Sequence, residues 1–181
     1  MPSREELLRE YEETAQGLGL EALRGVALGF EPALTQAGCK SYFEFGCGDC
    51  AVLVELQRRG LDVTGFEPAS SATAAADEVA VYPRFDADLP GIAAGQYDVV
   101  LALGSLDRMA DAEEAEKILR ELFRVARRYV VLGFELPGRL EAADALAASA
   151  LRMASGKFHY DVRRGAFRTI LIEKPACESS T

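Results

Sequence analysis

Two hydrophobic periods alternate along the 181 residues of this chain. Near its start, Leu7, Leu8, Tyr11 and Ala15 fall at helical spacing and Ser3 with Glu6 forms a capping-box pattern, which predicts an amphipathic helix over residues 3–16. A second helix is expected over 21–28, ended by Pro32 and Gly38. From there strands and helices take turns. Residues 41–45 form a short apolar and aromatic run closed by glycine, 51–59 are helical up to Gly60, 61–66 read as a strand, 70–78 as an alanine-rich helix and 79–83 as a short strand. The run YDVVLAL at 97–103 is almost continuously apolar, as a strand covered on both faces must be. Over 112–127 the stripe of Ala115, Ile118, Leu119, Leu122, Phe123 and Ala126 has the period of a helix. A strand at 129–134 and a helix at 139–153 follow. Two last strands, 157–162 and 166–173, are separated only by Arg163, Arg164 and Gly165, a gap that makes them an antiparallel hairpin.

Strands alternating with helices build a parallel sheet with helices on both faces. The expected fold is therefore α/β: a Rossmann-like, doubly wound, mostly parallel seven-stranded sheet with an antiparallel C-terminal hairpin. No repeat or linker divides it. The expected organisation is one domain over 1–174, with a helical cap at 1–38 and the core at 39–174, and a frayed tail at 175–181.

Composition narrows the function. With 49% hydrophobic and 27% charged residues the chain is globular, and neither disordered nor collagenous. Its 20 basic and 29 acidic residues leave a net charge of −9, which repels phosphates and anionic membranes and favours a small molecule, or a protein, as partner. The N-terminus has no apolar core of a signal peptide and no segment reaches bilayer-spanning length, so a cytoplasmic protein with no membrane partner is expected. Cys39, Cys47, Cys50 and Cys177 are too few and too irregular for a disulfide framework and are expected as free thiols. His159 is the single histidine, which removes metal sites built on several histidines.

The chemistry concentrates at Phe43-Glu44-Phe45-Gly46-Cys47-Gly48-Asp49-Cys50, where the first strand turns into a helix. Gly46 and Gly48 let the backbone bend and approach a ligand, and Asp49 can cap the helix. Glu67 ends the second strand in GFEP, 21 residues beyond Gly46, where an acid can accept from both hydroxyls of a ribose. Two cofactor classes use this arrangement. Gly46, Gly48 and Ala51 satisfy GxGxxG/A, so a nicotinamide or flavin dinucleotide, and with it an NAD-dependent oxidoreductase, competes. Glu44 argues the other way: it would repel a diphosphate but suit a ligand carrying an ammonium or a sulfonium.

With these residues in place, the sequence over roughly 40–174 resembles the class I S-adenosylmethionine-dependent methyltransferases. FEFGCGDC looks like the family's E/D-x-G-x-G-x-G turn, GFEP like its ribose-binding strand end, FDADLP like its adenine segment, and YDVVLALGSLDRMAD and ELFRVARRYVVLGFELPG like its fourth and fifth strands. The short length and RVARRYVV resemble the small type 11/12 or MetW-like members. The resemblance implies S-adenosylmethionine as cofactor and S-adenosylhomocysteine as product. It puts Glu44, Gly46, Cys47 and Gly48 around the methionine end, Glu67 on the ribose, Pro68 beside the adenine, Asp86 and Ala87 at its amine edge, and Leu103 beneath the cofactor. Cys50 stands where the family has a third glycine, and Asp107-Arg108 where Glu-His is common.

The expected function is methyl transfer to a small-molecule acceptor, with a methyltransferase-like binding or regulatory module as the alternative. No catalytic residue is assigned; Asp107 and His159 are candidate bases. Leu103-Gly104-Ser105-Leu106 replaces the Asn/Asp-Pro-Pro-Tyr of DNA amino methylation. Cys47 and Cys50 make a CxxC that can be redox-active or simply packed. Arg124, Arg127 and Arg128 can bind phosphate or offset a helix dipole.

Overall fold

The computed structural model describes residues 18–67, 79–82, 89–109, 111–135, 140–154, 158–164 and 167–174. The helices expected at 3–16 and 70–78, the tail, and the candidate residues Pro68, Asp86 and Ala87 lie outside these described residues. In chain order the elements are α1 (Leu18–Gln36), β1 (Ser41–Phe45), α2 (Ala51–Arg58), β2 (Asp62–Phe66), β3 (Ala80–Tyr82), β4 (Tyr97–Leu103), α3 (Ala112–Val125), β5 (Ala126–Glu135), α4 (Leu140–Met153), β6 (Phe158–Arg164) and β7 (Phe167–Glu173).

All seven strands join one sheet in the order β3-β2-β1-β4-β5-β7-β6. The neighbours from β3 to β5 run parallel, while β7 lies antiparallel to both β5 and β6. The hairpin expected from the sequence thus inserts its second strand beside β5. A nicotinamide-type sheet has the order 3-2-1-4-5-6 instead.

Strand alternation sorts side chains to two apolar layers. Phe43, Phe45, Val100, Ala102, Val130 and Leu132 pack with Leu119 and Leu122 of α3 and Leu146 of α4. Tyr42, Val63, Val99, Leu101 and Val131 pack on the opposite face with Leu34 of α1 and Leu53 and Leu56 of α2. Every residue of β4 is buried, as its unbroken apolar pattern requires.

Two of the boundaries that differ from expectation have a clear physical cause. α1 does not stop before Pro32 but runs through it to Gln36. Pro32 is exposed, and Leu23, Ala27 and Leu34 continue one buried stripe on both sides of it, so packing outweighs the lost backbone hydrogen bond. α3 ends at Val125, although Ala126 keeps the helical period, because Ala126 turns extended and pairs with Tyr97 of β4. Arg127 and Arg128 therefore lie on a strand.

The amino edge of the sheet is tied down by charge. Asp98 accepts from the backbone N–H groups of Lys40 and Ser41 at 2.8 and 3.2 Å and pairs with Arg127 at 3.0 Å. Burial works to raise its carboxyl, yet those backbone N–H bonds and the guanidinium outweigh burial and hold it below the usual range. Arg124 donates to the carbonyls of Ile92 and Leu89 at 2.7 and 2.6 Å, and Arg128 donates to that of Ala37. These arginines close loops. Among the described residues, no helix is long and apolar enough to cross a membrane.

Candidate functional site

At the opposite, carboxyl edge, the chain leaving β1 makes the tight turn that its glycines announce. Gly46 and Gly48 have φ of 71° and 54°, in the left-handed region that glycine enters at no steric cost. Gly46 is also a matter of space: a Cβ there would meet the Ser105 Cβ at 2.6 Å. Ser105, in the turn after β4, donates its hydroxyl to the Phe45 carbonyl at 3.0 Å and so binds the two loops together. The N–H groups of Gly46 and Cys47 both donate to the Phe66 carbonyl, at 2.7 and 3.2 Å, and that of Gly48 donates to Glu67 Oε2 at 2.6 Å. Four bonds therefore fix the glycine turn against the ends of β2 and β4.

Cys50 occupies the N-cap of α2 with φ 57°, a left-handed conformation held by a non-glycine residue. Asp49 sits one residue before the cap expected of it and accepts from the Ala51 N–H at 3.1 Å. The Cys47 and Cys50 sulfurs are 2.8 Å apart and both residues are buried. The hydrogen bond to Cys50, reinforced by burial, pushes the Cys47 thiol up, away from the thiolate that redox chemistry needs.

Glu44 is 4% exposed, and its Oε2 is buried with no hydrogen-bond partner. Burial first, then Cys50, Asp49 and Glu67, hold its carboxyl well above the usual range, with Arg24 alone acting against them. Arg24 comes from α1, is 8% exposed, bonds Glu21 at 3.1 Å, and forms an ion pair with Asp49. The sequence reading missed Arg24, because an arginine in an amphipathic helix ordinarily faces water; the one signal available was its place one residue after the buried Leu23.

Leu103 ends β4, buried beside Gly104, whose N–H donates to the Gly133 carbonyl at 2.8 Å. Asp107 follows, 3% exposed, with Oδ2 accepting from the Glu135 N–H at 3.1 Å. Burial raises its carboxyl to about 6 against the opposing pull of backbone N–H groups and Arg108, while Glu135 adds to the rise. Arg108 in turn pairs with Glu135 at 2.7 Å. Asp107 therefore straps the turn after β4 to the end of β5. His159 lies on β6, the edge strand beyond β7, and its side chain is outside the described residues. Among the described residues no group of three or more His, Cys, Asp or Glu side chains is arranged to hold a metal ion.

The structure thus brings Glu44, Gly46, Cys47, Gly48 and Glu67 around one turn at the carboxyl edge, where open α/β sheets bind ligands. Residues 43–132, which span β1 through most of β5, match a family described as a methyltransferase domain. The chain carries a methyltransferase domain. Solved structures agree in fold. Magnesium protoporphyrin IX methyltransferase from Synechocystis PCC 6803, with bound S-adenosylmethionine, superposes at TM-score 0.63 and 16% identity over 97% of this chain and 99% of that one. The 1,6-didemethyltoxoflavin-N1-methyltransferase of Burkholderia thailandensis gives 0.66 and 11% over 94% and 86%. The T. Thermophilus 16S rRNA N2 G1207 methyltransferase gives 0.61 and 18% over 78% and 37%. No curated protein matches by sequence. The cofactor of this methyltransferase is S-adenosylmethionine, and the site suits it. The turn carries no side chain at Gly46 or Gly48, and the unpartnered Glu44 oxygen is an acceptor suited to a cation.

Proposed function

We propose that this methyltransferase acts on a small-molecule acceptor, bound over the carboxyl ends of β4 and β5. The observation that carries the reading is the pair of buried acids, Glu44 and Glu67, flanking the glycine turn. Such a pair of acids suits a cationic nucleoside rather than a diphosphate. When bound, S-adenosylmethionine supplies a methyl group already activated on a sulfonium. The protein's own residues then have to bind, orient and exclude water.

In this reading Gly46 and Gly48 admit the methionine end and Glu67 accepts from the ribose. Glu67 accepts from the Gly48 N–H, and a carboxylate can accept about four hydrogen bonds. Pro68 would flank the adenine, Asp86 and Ala87 would take its amine edge, and Leu103 would lie beneath the cofactor. Asp107 positions the turn after β4 through its bond to the Glu135 N–H.

A small acceptor is favoured over nucleic acid by the net charge of −9 and by arginines committed to loop carbonyls at the far edge. The test is incubation with methyl-labelled cofactor and a fractionated cell extract. Label in the dialysable fraction is the expected result; label in RNA would overturn the choice of acceptor. Tight cofactor binding with no label in any fraction would point to the binding module instead.

A further inference from the structure

β1 contributes one carboxylic acid, Glu44, to an otherwise apolar and aromatic run. Alternation places it on the face of Tyr42, the layer covered by α1 and α2, opposite to Phe43 and Phe45. Its strand neighbours are Gly65 of β2 and Leu101 of β4, neither of which carries charge. The ionisable groups that act on it come from three other places. α1 brings Arg24; the turn and the N-cap of α2 bring Asp49 and Cys50; the end of β2 brings Glu67. Arg24 opposes them with a guanidinium already divided between Glu21 and Asp49. Among the described residues, a fully ionised cluster would hold four carboxylates, Glu44, Asp49, Glu67 and Glu21, against that one guanidinium, with one oxygen of Glu44 buried and unpartnered. A carboxyl group so placed takes a proton rather than carry an uncompensated charge.

Resting on the cofactor reading above, we propose that Glu44 is protonated in the cofactor-free protein and releases that proton when the cationic methionyl end of S-adenosylmethionine docks at the glycine turn. The O–H bond of the carboxyl group breaks, the electron pair stays on the oxygen, and the proton leaves for bulk solvent. The site then holds a carboxylate beside a cation, so its net charge is unchanged by binding. The cofactor and hydrogen ions compete for Glu44, and affinity falls by up to about tenfold for each pH unit below the group's folded pKa.

The test is titration calorimetry of the full chain with S-adenosylmethionine and with S-adenosylhomocysteine, each in phosphate, HEPES and Tris, at several values between about pH 6 and pH 8. The dependence of the heat on the buffer's ionisation enthalpy counts the protons. Release approaching about one proton per cofactor at the acid end of the range is expected. Release with both ligands makes the α-ammonium, common to both, the partner of Glu44; release with the first alone makes it the sulfonium. Heats independent of buffer throughout the range would overturn the inference. Glu44→Gln carries no proton and should bind more weakly with buffer-independent heats; undiminished release from that variant would also overturn it. Should the variant fold poorly, the carboxyl carbon resonance of Glu44 in the unaltered protein reports the same event. An ionised Glu44 in the cofactor-free protein at the acid end of the range contradicts the proposal whether or not cofactor binds. Absence of binding by either ligand would remove the cofactor reading itself.

Discussion

The two edges of the sheet treat charge in opposite ways. At the amino edge, Asp98 is held ionised by two backbone N–H groups and Arg127, and Arg124 and Arg128 end on loop carbonyls. At the carboxyl edge, Glu44 and Asp107 are buried and both are pushed up; glycines with positive φ lie at both edges, but the non-glycine residue held there among the described residues, Cys50, is at the carboxyl edge. The first edge has discharged its electrostatic cost within the fold. The second retains that cost, together with local strain, in a form that a bound ligand can relieve. The difference is what makes the carboxyl edge the candidate functional end of the molecule.

Substitutions at the carboxyl edge break or sharpen this contrast, the largest first. Gly46→Val puts a β-branched side chain at φ 71° and against Ser105, where the Cβ contact would be 2.6 Å. Left-handed strain and overpacking together should cost about 4 kcal/mol in urea unfolding; unchanged stability would mean the turn is not under constraint.

Asp107→Asn tests the stored charge. A carboxyl raised to about 6 makes the folded state hold its proton more tightly than the unfolded one. The native state therefore loses stability as pH rises from about 4, the unfolded value, to about 6, by roughly 2–3 kcal/mol, and stays penalised above that. The variant should lack this fall, gaining on the unaltered protein between those values. A difference that does not change with pH would refute the assignment.

Glu67→Gln keeps an acceptor for the Gly48 N–H but removes the charge. Cofactor affinity should drop by about 1–2 kcal/mol, with little change in unfolding. Equal affinity would remove Glu67 from the ribose. Cys50→Gly gives the smallest effect: relief of about 1 kcal/mol of left-handed strain is offset by the loss of a buried thiol. Stability within about 1 kcal/mol of the unaltered protein and intact cofactor binding are expected; a large loss of either would give the thiol a role beyond packing.

The parts legible in the sequence are those set by local pattern. The run YDVVLAL gives β4 with both its ends, and the GCG turn and Glu67 carry their chemistry in residue type and spacing. The short loop before the last strand gives the antiparallel hairpin, though not its insertion of β7 between β5 and β6, which no local spacing encodes. What was illegible depends on packing between distant segments. Pro32 reads as a helix end until the buried stripe on either side of it is known. Ala126 fits the helical period but joins the ladder opposite Tyr97. Arg24 reads as a surface arginine until α1 is seen against the glycine turn. Asp107 stands in the sequence only as a candidate base; its bond to the Glu135 N–H, which ties two loops together, cannot be read there.

The most direct test of the account is an amide NMR titration with S-adenosylhomocysteine. Shifts concentrated at Gly46, Gly48, Glu67 and Leu103, with Lys40, Asp98 and Arg127 at the amino edge unmoved, are predicted. Shifts centred on the amino edge, or none at saturating ligand, would contradict the assignment of the cofactor to the carboxyl edge.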